Sequence, residues 1–410
     1  MKILMLSATF PYPPTRGGTQ VRTFNLLKYL QQRHSVTVLT LRSPDVSDDE
    51  VAALRQSVTE LAIFPRLQTS DAADRWMGKL QRFGSFMLGG KPPSVWSSYS
   101  PQAQGWVEQA VEAGKFEVVT CEHCVNEIYV RPQWKSRLHT VVNIHSSVYG
   151  TCKNQLETGT SEHIWRDRLN LPLLYRYERQ YCEKFSGIVV TTDEDRQQIQ
   201  AFAPAAEIAV IPNGVDFEQF PYRSADPGGH RLVFVGAMDN APNIDAVRFF
   251  SLEVFPAIRQ TYPDATLELV GSRPGQNVTE LGDRPGITVT GRVPSMVDYL
   301  HRATVCVVPM RTGFGIKNKT LEAMAAGTPV VGSDRGLEGL AVDAANLPLR
   351  ALRANRVAEY VSAIERLFEQ PGLRAQLSQA GRLLVEQDYT WERAGQRYEQ
   401  VLSRTVEEGQ

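Results

Sequence analysis

Val307-Val308-Pro309-Met310-Arg311-Thr312-Gly313-Phe314-Gly315-Ile316-Lys317-Asn318-Lys319-Thr320-Leu321-Glu322-Ala323-Met324-Ala325-Ala326-Gly327-Thr328-Pro329-Val330-Val331 runs from a short apolar strand through a glycine loop into a helix, and Gly327 and Pro329 punctuate the return to a second apolar strand. A strand, loop, helix and strand in so short a space is the unit of parallel sheets covered by helices. Gly313 and Gly315 let the backbone come close to an anion, and the start of the following helix offers unpaired amides and the positive end of its dipole. Arg311, Lys317 and Lys319 lie in or beside the loop and supply positive charge for a phosphate. No third glycine stands at the dinucleotide-binding spacing and the P-loop pattern is absent, which weakens the oxidoreductase and ATPase readings.

Outward from this stretch the same alternation continues in both directions. Apolar runs bounded by turn residues predict strands at about Lys2–Ser7, Val36–Leu41, Glu117–Cys121, Thr140–Ile144, Gly187–Thr192 and Ile208–Ile211. A second series is predicted at Arg231–Gly236, Thr266–Gly271, Ile287–Thr290, Thr304–Pro309 and Pro329–Gly332. Between the series, Ile211-Pro212-Asn213-Gly214-Val215-Asp216 ends a strand with a turn and reads as a hinge, and 221–229 reads as connector. The expectation is an α/β chain of two doubly wound units in tandem.

With 410 residues, 42% hydrophobic and 22% charged, the chain is large enough for two cores. Its 44 Lys and Arg balance 45 Asp and Glu, so it lacks the basic excess of a dedicated nucleic-acid binder. The opening apolar run is short and meets Pro11, Pro13 and Pro14 without a cleavage pattern, so it reads as the first buried strand rather than a signal peptide. No stretch approaches the ~18 apolar residues of a spanning helix. Five cysteines, an odd and scattered set at 121, 124, 152, 182 and 306, fit a reducing cytoplasm. Cys121-Glu122-His123-Cys124 lacks a second ligand pair, so no metal is expected there.

Ligands of such sheets collect beyond the carboxyl ends of the strands. That rule selects Gly17 and Gly18, Glu122, His123, His145, Gly236 and Gly271 alongside Arg311 and Lys317. Arg16 adds charge beside the first glycine pair. Glu122 and His123 are candidates for orienting or deprotonating an acceptor hydroxyl, or simply cap the next element. Asp193-Glu194-Asp195 resembles a metal-binding triplet, but it directly follows Thr191-Thr192 and precedes a helix, where acidic residues favour the dipole; the capping reading is preferred.

Leu321-Glu322-Ala323-Met324-Ala325-Ala326-Gly327-Thr328-Pro329-Val330-Val331 resembles the donor-site signature of the retaining GT-B glycosyltransferases of family 4 (glycosyl transferases group 1). The Gly17-Gly18 loop, Ile211 to Asp216 and Phe234-Val235-Gly236 agree with that family in order, so the resemblance spans nearly the whole chain. It implies the GT-B fold, two Rossmann-like domains facing across a cleft. The acceptor domain would be 1–213, joined by a C-terminal helix at about 391–410, and the nucleotide-sugar domain 214–390. It further implies that Glu322 binds the donor ribose, that Arg311 and Lys317 hold the diphosphate, and that His145 contacts the transferred sugar. Gly17 and Gly18 would approach donor phosphate and acceptor, and Gly236 and Gly315 would line the donor site. Lys319 competes with Lys317 for its role, and the sequence does not choose between them. One position departs: Phe314 stands where the family's first motif glutamate, a sugar contact, is expected.

The implied activity is retaining transfer of a sugar from a nucleotide-sugar donor to a glycan or lipid-linked acceptor in polysaccharide or glycolipid assembly, without a metal or other cofactor. Two alternatives are a nucleotide-sugar epimerase of the same fold and a non-catalytic binding module. Basic and apolar residues interleave over 75–96, which makes that segment a candidate for peripheral contact with the inner membrane face.

Overall fold

The computed structural model describes residues 1–66, 90–161 and 163–404. Its contacts divide the chain into two units, one of Met1–Ile211 together with the chain from Ala394 onward, the other of Pro212–Arg393.

The first unit holds a sheet of seven parallel strands: β1 (Lys2–Ser7), β2 (Ser35–Arg42), β3 (Glu60–Pro65), β4 (Val118–Glu122), β5 (His139–Asn143), β6 (Gly187–Val190) and β7 (Ile208–Val210). Their order is β3-β2-β1-β4-β5-β6-β7. Ile3, Leu4, Met5 and Leu6 are all fully buried, which explains why β1 is a continuous apolar run and not an alternating one: helices cover both faces. β1 pairs with β2 on one side, Leu4 opposite Thr37, and with β4 on the other, Leu4 opposite Val119. The strand order therefore reverses at β1 and β4, and their carboxyl ends flank the crevice where such sheets bind ligands.

The second unit repeats the plan with six parallel strands: β8 (Arg231–Val235), β9 (Thr266–Val270), β10 (Ile287–Gly291), β11 (Val305–Val308), β12 (Val330–Gly332) and β13 (Leu352–Arg353). The order β10-β9-β8-β11-β12-β13 puts the reversal between β8 and β11. Phe234, Val307, Val331 and the helix residues Leu321 and Ala325 share one core.

The strands expected from the sequence are present with ends shifted by a residue or two, and β3 and β13 are additional. β3 is an edge strand whose middle residues are half-buried, and β13 has only two residues. The hinge segment is packed: Val215 bridges Thr390, and a side chain at Gly214 would strike the Trp391 backbone at 2.3 Å.

Candidate active site

In the second unit the helix Asn318–Ala325 follows the glycine loop, and its own pattern seats it: Leu321, Ala323, Met324 and Ala325 are buried. Gly313 and Gly315 have φ of 119° and 72°, a region that disfavours side chains, so the loop can only take this path with glycine. Gly236 ends β8 at φ 155°, and a methyl group there would lie 2.9 Å from both the Asn243 side-chain nitrogen and Lys319 Nζ. The carboxyl ends of β8 and β11 thus bring Gly236 and Lys319 together at the reversal of the sheet.

The three basic residues singled out in the sequence have different surroundings. Arg311 Nε donates to Asp245 Oδ2 at 2.9 Å, and the guanidinium lies 5.0 Å from the Phe249 ring centre, so an acid on a neighbouring helix meets its charge. Lys317 donates to the Gly315 carbonyl and, at 3.2 Å, to Glu338 Oε2. Lys319 Nζ donates to Asn243 Oδ1 at 2.6 Å and lies 4.0 Å from the Phe234 ring centre, with no carboxylate within salt-bridge distance among the described residues. Burial pushes the Lys319 ammonium down to about 7, and burial pushes the nearby Glu322 carboxyl up to about 7 while Lys319 pulls it back. Arg311 and Lys317 thus each face a carboxylate within ion-pair distance, whereas Lys319 meets only the longer-range field of Glu322.

Glu338 was missed in the sequence. It follows the turn Ser333-Asp334-Arg335-Gly336 at the end of β12, which Ser333 ties to the end of β11 through the Met310 carbonyl at 2.5 Å. Its side chain is buried between Lys317 and Arg335. The strand-end rule, applied to β12 as it was to β11, would have found it.

In the first unit Glu122 is a hub. Tyr398 donates to its Oε1 at 2.5 Å, Asn143 donates to Oε2 at 2.9 Å, and Arg22 donates to Asn143 Oδ1 at 3.0 Å. Burial works to raise the Glu122 carboxyl, but the neighbouring His145, the Tyr398 hydrogen bond and the Arg22 charge bring it below the ordinary value. Its oxygens accept from protein partners and it is shut away from solvent, surroundings that suit holding its neighbours in place. His145 Nε2 lies 3.6 Å from Glu122 Oε2, beyond hydrogen-bond reach, and neither ring nitrogen has a hydrogen-bond partner among the described residues. Burial holds this imidazole below its ordinary value, so it is neutral and keeps one donor and one acceptor for a ligand hydroxyl.

His123 stands edge-on to His145 with ring centres 5.4 Å apart, and its Nε2 pairs with Ser146 Oγ at 3.1 Å; burial pushes it down to about 3. Arg16 donates to Asp45 Oδ2 at 3.0 Å and to both Glu50 oxygens at 2.6 and 2.8 Å. Gly17 precedes, and Gly18 opens, the helix Gly18–Leu30, with Gly17 extended at φ 173°. The triplet Asp193-Glu194-Asp195 is the first turn of the helix Asp193–Gln200: Asp195 accepts from Thr192 N at 3.0 Å and from Thr191 Oγ1 at 2.9 Å, a capping box. All five cysteines are free and buried. Of the segment 75–96, residues 75–89 lie outside the described residues. No described helix is long and apolar enough to cross a membrane.

Two family models match the chain. The one described as Glycosyltransferase Family 4 matches residues 16–219, and the one described as Glycosyl transferases group 1 matches residues 229–370, which includes Gly236, Lys319, Glu322 and Glu338. The chain belongs to the group 1, family 4 glycosyltransferases. Glycogen synthase of Mycobacterium tuberculosis is 28% identical over 222 residues, covering 51% of this chain and 52% of the relative. A GDP-mannose-dependent monoacylated alpha-(1-6)-phosphatidylinositol monomannoside mannosyltransferase of Corynebacterium glutamicum is 27% identical over 228 residues, covering 49% of this chain and 58% of the relative. The chain thus spans about half the length of the curated relatives it matches.

Solved structures of this glycosyltransferase fold align along almost the whole chain. Sucrose-phosphate synthase from Thermosynechococcus elongatus has a TM-score of 0.68 at 20% identity, covering 98% of each chain. Anabaena Alr3699/HepE in complex with UDP and glucose has a TM-score of 0.66 at 15% identity, covering 99% of this chain and 100% of that one. These likenesses establish the two-domain, Rossmann-like GT-B architecture.

Proposed function

We propose that the chain is a retaining glycosyltransferase that moves a sugar from a nucleotide-sugar donor to a glycan or lipid-linked acceptor in polysaccharide or glycolipid assembly. The observation that carries this reading is Lys319: a buried ammonium without a carboxylate partner, under Gly236 at the sheet reversal of the family-matched unit. An uncompensated buried cation is costly unless an anion arrives. The donor diphosphate is that anion. Lys317 and Arg311 flank it, and Glu322 accepts from the ribose hydroxyls, which require it ionised.

In this reading the bond from the sugar C1 to the diphosphate oxygen breaks as the acceptor oxygen bonds to C1 on the same face. The acceptor's proton passes to the departing oxygen, so no protein carboxylate need act as nucleophile. Lys319 stabilises the charge growing on that oxygen. His145, beside the Glu122 network, hydrogen-bonds a sugar hydroxyl. Lysines meet the diphosphate charge, so the reading includes no divalent cation. Support comes from the family membership, from a relative described as GDP-mannose-dependent and from a fold neighbour solved in complex with UDP and glucose.

The test is a product assay with UDP-, GDP- and ADP-sugars and candidate acceptors, read by the anomeric proton of the product. A glycoside with the donor's own anomeric configuration is expected. An inverted product removes the retaining assignment, conversion of donor without acceptor points to an epimerase, and tight binding with neither transfer nor hydrolysis points to a binding module.

A further inference from the structure

The first unit carries a helix whose solvent face is unlike an ordinary solvated surface. The helix Ile164–Cys182 follows the helix Val148–Glu157, and the two run antiparallel: Ser147 donates to Glu178 Oε2 at 2.6 Å near one end, and Cys152 reaches the Asp167 carbonyl at 3.5 Å nearer the other. Asp167, Leu174, Tyr177, Glu178, Tyr181 and Cys182 are buried and mark its inner face. At 100° per residue, Trp165, Arg168, Leu169, Pro172, Arg176 and Arg179 fall on one stripe opposite to it.

That stripe is apolar and cationic together. Trp165 is 78% exposed, Leu169 67% and Ile164, at its margin, 45%. The Arg168 guanidinium lies 5.6 Å from the Trp165 ring centre. The helix has two acidic residues, and both are turned inward: Asp167 is held by Ser161 and Arg166, and Glu178 by Ser147 and the Tyr149 amide. Nearby acids are matched as well, Glu183 by Arg179 at 3.7 Å and Glu157 by Lys153 at 3.8 Å. A helix face with exposed Trp, Leu and Ile, several arginines and no outward acid suits a surface that is negatively charged outside and apolar beneath.

We propose that the exposed Trp165–Arg179 face of this helix seats on an anionic phospholipid surface. Trp165 and Leu169 enter the boundary between headgroups and acyl chains, and Arg168 and Arg176 pair with headgroup phosphates. The helix pair starts at Ser147, two residues beyond His145, where the Glu178 end of the long helix meets it, and Trp165 and Leu169 lie toward its other end. Binding of this kind is independent of whether the chain transfers sugar, and it assigns the contact to residues other than 75–96.

The experiment is co-sedimentation of the full chain with vesicles of phosphatidylcholine alone and of phosphatidylcholine with phosphatidylglycerol. It compares wild type with Trp165→Ser/Leu169→Ser and with Arg168→Gln/Arg176→Gln, each checked by thermal unfolding. The expected result is binding to the anionic vesicles only, weakened by salt. Loss on the order of fivefold is expected for each arginine removed, and loss of sedimentation for the Trp165/Leu169 variant. The proposal is overturned if the wild type binds neither vesicle or both equally, or if the two folded variants sediment like wild type, which would place the contact elsewhere.

Discussion

Tyr398, on the helix Trp391–Leu402, donates a 2.5 Å hydrogen bond to Glu122 at the end of β4, across 276 residues of sequence. The bond puts a late helix in control of a buried carboxylate that stands 3.6 Å from His145.

Removing that donor leaves the carboxylate buried and short of a partner, which typically costs ~1–3 kcal/mol. Tyr398→Phe is expected to lower stability by about that amount in urea unfolding. The Glu122 carboxyl sits below its ordinary value in the folded chain. Its contribution is therefore complete above the unfolded carboxylate value and is lost as pH falls through the folded one. Loss of the hydroxyl raises the folded value, so acid unfolding of Tyr398→Phe should begin at higher pH than that of the wild type. Equal acid transitions would show that Tyr398 does not govern this carboxyl.

The two loop lysines should separate in kinetics. By analogy with loss of an oxyanion-hole donor, Lys319→Ala is expected to reduce turnover ~10²–10³-fold. Lys317, whose charge Glu338 already meets, should cost less than about tenfold at saturating donor. The reverse order, measured side by side, would return the diphosphate to Lys317.

Nucleotide affinity should depend on pH in a stated direction. Lys319 is pushed down to about 7, so the free protein loses this charge as pH rises above that value, while a bound diphosphate restores it. Binding then takes up a proton, and affinity should fall by up to about tenfold per pH unit above 7. Glu322, pushed up to about 7, works in the opposite sense when its ionised form is needed for the ribose. Glu322→Gln should therefore remove the rise in affinity between pH 6 and 7 while weakening binding overall. A flat profile in that variant, by calorimetry across pH 6 to 9, would remove Lys319 as the titrating group.

Gly236→Ala tests the close approach of backbone and ammonium. The added methyl would lie 2.9 Å from Lys319 Nζ and Asn243 at φ 155°. Strain of about 1–3 kcal/mol is expected, together with weaker donor binding as Lys319 is displaced. Unchanged nucleotide affinity in the folded variant would show that Gly236 does not shape the site.

Much of this architecture was legible in the sequence because parallel strands buried on both faces must be continuous apolar runs, as Ile3 to Leu6 and Val305 to Val308 are. Strand ends then nominated His145, Gly236 and the glycine loop. What stayed hidden is the partner of each charge. Asp245 stands 66 residues from Arg311, and Glu338 21 residues from Lys317. No local spacing reports such pairings, yet they decide which cation is left for a ligand. β3 was obscure for a different reason, since an edge strand needs only partial burial and Glu60 to Pro65 shows no alternation.

The central claim is that an uncompensated Lys319 holds the donor diphosphate. Calorimetric titration of UDP, GDP and ADP into wild type and Lys319→Met at pH 6.5 tests it most directly. At least one nucleotide should bind the wild type, with affinity reduced by about tenfold or more in the variant; equal affinity in a folded Lys319→Met protein would contradict the account.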